Sequence, residues 1–270
     1  MIPTRESPAS AANERLQSME PQTGEGNVAW LERCPVKRGV LLLGGTSLAD
    51  FRLRVAQSQL RSDLTPSYWS LCGLLLDGGT FESVPLQFGD ISDVPSTNGV
   101  RRLSVAEVDD ARRWPNIAVL AFVERPEVIE GHAQRVLRRR TIIDLPELIV
   151  AWLAYSWAAG SAENPLLEGR GIPSAAFVEA AHSLAGVELT PSLSSAASCP
   201  EAIWQAVKWW HEYYEGAAKL GVSAEAGLLV PTGRYALRQR SAAVELAPDA
   251  PLFLPGPGEG RKVEDGGQQP

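Results

Sequence analysis

The chain has 270 residues, of which 44% are hydrophobic and 21% charged, with a formal net charge of −7 and a pI near 5.2. That is enough apolar sequence for one sizeable core, and its acidic balance excludes a sequence-wide basic field for attracting nucleic acid. Its three cysteines, Cys34, Cys72 and Cys199, are odd in number, far apart and without a CxxC pair, which excludes a disulfide framework and suits a reducing cytoplasm.

The N-terminus "MIPTRESPASAANERL" carries acids and no apolar core of signal-peptide length. Residues 1–28 and 248–270 mix Pro, Gly, Ser, Gln and charge without periodicity, so they read as flexible tails around a single α+β domain over 29–247. The domain opens with "RGVLLLGG" at 38–45, a buried-strand pattern ending in paired glycines. Ser47 and Asp50 stand at capping-box spacing and start a helix. This strand, Gly-Gly and helix lacks the Lys of a phosphate loop and the third glycine of a dinucleotide fingerprint.

Two strands follow, 68–76 and 80–86, joined by "DGG" as an antiparallel hairpin. Ser104 and Glu107 repeat the capping-box spacing and predict a helix over 104–114; "NIAVLAFV" at 116–123 predicts another buried strand. Beyond it the pattern turns helical over 126–140, 145–158, 174–185 and 200–216. The apolar stretch at 148–160, about 13 residues, is too short to span a bilayer of roughly 30 Å and reads as a core helix. The basic run "RVLRRR" at 135–140 reads as a solvated helix face. A small antiparallel sheet followed by a helix-rich second half is an α+β arrangement.

Chemistry concentrates at "SSAASCPEAIW", 194–204, where Cys199 precedes Pro200 at the first turn of the last long helix. A helix N-terminus lowers a thiol's pKa and can hold an oxyanion, so Cys199 is the candidate nucleophile; the other reading is a buried structural thiol. Trp204, Trp209, Trp210, Tyr213 and Tyr214 follow on the same helix. With 210, 213 and 214 on one face, the group packs a core or forms a binding platform, for which Trp204, Trp210 and Tyr214 are the candidates. His, Cys and acidic residues show no metal-site spacing, and neither a metal nor a cofactor is expected.

The segments "RGVLLLGG", "WSLCGLLL", "FESVPL" and "NGVRRLS", followed by the late "SCPEAIWQAVKWW", resemble the circularly permuted branch of the NlpC-like papain superfamily, particularly the YiiX-like proteins. The resemblance covers 38–123 and 195–215. It implies a permuted papain-like fold with Cys199 as nucleophile and Glu82 as the acid that orients a base. In that family pattern a His follows Ser70, where this chain has Leu71, and an Asp stands where this chain has Val40. Loss of the base removes a general acid–base contribution of roughly 10² to 10⁴-fold. Among the other imidazoles, His132 sits in a predicted helix and His211 lies about 18 Å along the helix axis from Cys199 at 1.5 Å per residue. His182 is the one candidate replacement, because its segment leads to Cys199.

Two functions follow as expectations. One is a degenerate thiol hydrolase working as a binding or assembly module for a protein, peptide or acyl-bearing ligand. The other is an active cysteine hydrolase or acyltransferase on an amide or ester. An interaction protein of an unrelated α+β fold is the third reading.

Overall fold

The computed structural model describes residues 22–34, 36–86, 94–120, 126–138, 143–208 and 235–238. Strands β1 (Gly39–Gly44), β2 (Leu71–Leu76), β3 (Thr80–Ser83), β4 (Arg101–Ser104), β5 (Asn116–Leu120) and β6 (Tyr235–Arg238) form one antiparallel sheet in the order β4-β3-β2-β1-β5-β6. Helix α1 (Asn27–Arg33) covers one face. On the other lie α2 (Leu48–Ala56), α4 (Pro126–Arg138), α5 (Leu145–Ser156), α6 (Pro173–Leu184) and α7 over residues 200–208, with a single-turn α3 (Val94–Thr97) before β4. The α+β class expected from the sequence is what the chain adopts. Among the described residues no helix is long and apolar enough to cross a membrane.

The strong local signals hold. Paired glycines at 78 and 79, both with positive φ, turn β2 into β3, and the Ser47–Asp50 capping box closes in both directions. The three central strands are continuous apolar runs because both faces of the sheet are covered. Val40, Leu42, Cys72 and Leu74 point to the helical layer, whereas Leu41, Leu43, Leu71 and Leu75 point to α1.

One helix is corrected. Ser104 and Glu107 do form their capping box, but it opens a single 3-10 turn over Val105–Val108 rather than a helix to 114. The next residue has a competing task. Asp109 accepts the Asn27 N–H on its carbonyl and the Val28 N–H on its carboxylate, closing the N-terminus of α1. That helix begins inside the segment read as a tail. β4 and β6 are additions to the expected strands, and the hairpin strands are shorter than expected. The last predicted helix is seen through residue 208; 209–216 and the tail 248–270 lie outside the described residues.

Helix α5 ends in a Schellman motif, with the Ala159 N–H donating to the Ala154 carbonyl and the Ala158 N–H to that of Tyr155. The residue forced into the left-handed region is Ala158, at φ 54° and exposed. Ala158→Gly is therefore expected to raise stability by about 0.5–1 kcal/mol, the relief of left-handed strain less the entropy glycine adds to the unfolded chain. A shift of the denaturation midpoint to higher urea at constant slope checks it.

Candidate functional site

Cys199 is the residue before α7, and its carbonyl accepts the Ile203 N–H as an N-cap carbonyl does. The segment leading to it is laid against the entry to α6: the Gly171 N–H donates to Ala196 O and the Ile172 N–H to Ser198 O at 2.9 Å. The Ser198 carbonyl takes the space a Cβ on residue 171 would need, so glycine is required there for close approach. Ser174, the second residue of α6, accepts the Cys72 N–H at 3.2 Å. This chain of contacts brings Cys199 towards β2, close enough that Cys199 adds to the cost of ionising Cys72.

The sulfur therefore reaches the strand the resemblance names, but meets a different side chain of it. Leu71 is on the α1 face, whereas Cys72, with Leu74 and Leu76, belongs to the same core cluster as Cys199. Cys199 is 1% exposed, and burial pushes its thiol up to about 12, against the lowering action of the Ala202 and Glu201 backbone N–H groups. Burial pushes Cys72 higher still. All three cysteines are free and buried.

Glu82 shares the helical face of the sheet, paired in register with Leu74. Its carboxylate accepts from Arg102 Nη2 at 2.6 Å and from Gln134 Nε2 at 3.0 Å, so it is committed to the β4 edge. His182 is buried near the C-terminal end of α6, with Nδ1 2.8 Å from the Val178 carbonyl to which it donates; burial lowers its pKa to about 4. Cys199 docks beside Ile172 at the other end of that helix, about 15 Å away along the axis at 1.5 Å per residue. The three sequence candidates are thus not brought together. His132 is part-exposed beside Arg135 on α4, and His211 lies outside the described residues.

Trp204 is core, its ring set edge-on to that of Trp69 at 5.1 Å between centroids. Trp210 and Tyr214 lie outside the described residues. Among the described residues no group of His, Cys, Asp and Glu has the arrangement of a metal site.

What sequence reasoning missed is the polar support behind α7. Glu201, fully buried, accepts from Ser67 Oγ at 2.6 Å and Gln205 Nε2 at 2.6 Å, with Arg61 at 3.6 Å. Gln57 Oε1 accepts the Glu201 N–H, while Gln57 Nε2 donates to the carbonyls of Leu53 and Trp69. A second knot lies at the mouth of α2, where Asp50 accepts from Ser47, Ser70 and Arg113. The one available signal was an acid two residues past a capping cysteine. Beside Asp50 lies a narrow cleft lined by Ser70, Leu71, Leu86, Trp114, Ile172 and Ser174, with room for about one water molecule. Cys199 does not line it.

No family model, curated protein or solved structure matches the chain.

Proposed function

We propose that this is a protein of permuted papain-like fold that has given up thiol hydrolysis and works as a binding or assembly module for a protein or peptide partner. The observation that carries the reading is the state of Cys199: seated at a helix N-terminus, yet sealed from solvent, held as a neutral thiol at physiological pH and faced by Cys72 instead of an imidazole. A thiol titrating near 12 is ionised at pH 7 in only about one molecule in 10⁵, and the thiolate is the nucleophile. The narrow cleft favours a partner bound on the surface over an acyl chain bound inside. Trp157, 71% exposed at the end of α5, lies two helical turns beyond the exposed Val150, a stripe suited to contact. Free thiols suit a reducing compartment such as the cytoplasm.

The test is labelling of the native protein with iodoacetamide at pH 7, read by peptide mass. Cys199 is expected to stay unmodified over hours in which a urea-unfolded control reacts at all three positions. Modification of Cys199 within minutes, ahead of Cys34 and Cys72, returns the protein to the hydrolases.

A further inference from the structure

The chain between α6 and the Cys199 cap is held by surprisingly few polar contacts. Its ends are fixed: the Val187 N–H donates to His182 O, and residues 196 and 198 accept from Gly171 and Ile172. In between, among the described residues, every hydrogen bond leaving 188–193 ends on one group. Glu179 Oε1 accepts the Leu189 N–H at 3.0 Å and the Thr190 N–H at 3.2 Å. Its other oxygen, Oε2, is buried without a partner in hydrogen-bond geometry, as is the Thr190 hydroxyl that also approaches the carboxyl.

A carboxylate in this setting is poorly served. The titratable neighbours are Glu188 from the segment itself, unfavourable to a second negative charge, and Cys72 from β2 and His182 on the same helix, both of which burial keeps neutral. Glu82 on β3 is already paired with Arg102. The buried residues that α4 and α5 bring to this layer, including Ala133, Val136, Ile149 and Trp152, carry no charge, and the 3-10 turn Ser195–Ala197 has none. A protonated carboxyl fits better, with Oε1 as the double acceptor and the proton on Oε2.

We propose that Glu179 is a pH-gated latch, holding segment 188–193 against α6 while its carboxyl is protonated and releasing it once the carboxyl is charged. Burial raises this carboxyl from 4.5 to about 7, against the Thr190 and Leu189 backbone N–H groups and the Thr190 hydroxyl, which lower it. The change therefore falls in the physiological range. Release would uncover Leu189, which the latch buries. The device is independent of any role for Cys199.

Backbone hydrogen exchange of Leu189 and Thr190, corrected for the intrinsic pH dependence, tests it. A carboxyl that must ionise on opening weakens the closed state about tenfold per pH unit below its folded pKa. Protection in the native chain is expected to fall about 100-fold from pH 5 to pH 7.5 and then level off. In Glu179→Gln, which keeps the acceptor and removes the charge, protection is expected to change less than about threefold. A flat profile in the native protein, or an equal fall in Glu179→Gln, overturns the latch. Should that variant not fold, the side-chain carboxyl of Glu179 is titrated by carbon NMR in the native protein. A midpoint near neutrality supports the latch, and a midpoint in the ordinary glutamate range overturns it.

Discussion

Glu201→Ala is expected to cost about 2–4 kcal/mol of stability, because it strands the buried Ser67 hydroxyl, removes the acceptor of Gln205 and leaves a cavity behind α7, while Arg61 keeps its pair with Asp63. Glu201→Gln is expected to cost about 1 kcal/mol. Burial raises the Glu201 carboxyl, so its charge is held at a desolvation cost that an amide avoids, and the Ser67 hydroxyl can turn to accept from the new amide. Urea midpoints of the two variants at pH 7 check the ratio. Equal losses would mean that the negative charge, not the volume or the hydrogen-bonding shape of the side chain, holds the helix. Because Cys199 caps that helix, the alanine variant should also let its thiol react first as urea rises.

The second large effect is one of pH, and it is concealed in the native protein by cancellation. Glu179 has its pKa raised from 4.5 to about 7, so between those values the folded state holds a proton that the unfolded chain releases, and stability falls as pH rises. His182 is lowered from 6.5 to about 4, so between those values the unfolded chain holds the extra proton, and stability rises with pH. Each amounts to about 3 kcal/mol across its window. They oppose one another from about pH 4.5 to 6.5, leaving the native protein nearly level there as far as this pair is concerned. His182→Gln is expected to unmask a decline with rising pH up to about 7, and Glu179→Gln a climb up to about 6.5. Chemical denaturation at half-unit pH steps, compared with the native chain, shows whether the slopes have these opposite signs.

Much of the fold is legible because it is local. The capping box of α2, the Gly78–Gly79 turn and the apolar run of β1 each carry their instruction within a few residues. The misread helix at 104–114 fails for a reason no window contains, since Asp109 serves a helix some eighty residues earlier in the chain. β4 and β6 are four residues each and are defined by the strands they join. The site was half legible. "SCPEA" announces a capped helix, and its cysteine shares a core cluster with Cys72 of the "WSLCGLLL" strand. Which face that strand turns to it was beyond reading: in "LCGLLL" every residue is buried, and without polar alternation nothing distinguishes Leu71 from Cys72. The Glu201 hub and the Glu179 latch join residues distant in sequence or polar groups inside apolar helices, for which periodicity offers no sign.

The position of β6 bears on biosynthesis. β5 is complete at residue 120, but the strand that satisfies its outer row of amides and carbonyls comes from residues 235–238. During translation that hydrophobic border stays open until residues 235–238 have been made, a template for pairing with another nascent chain. A premature stop after α7 would thus yield a product whose failing is aggregation rather than simple loss of a terminus.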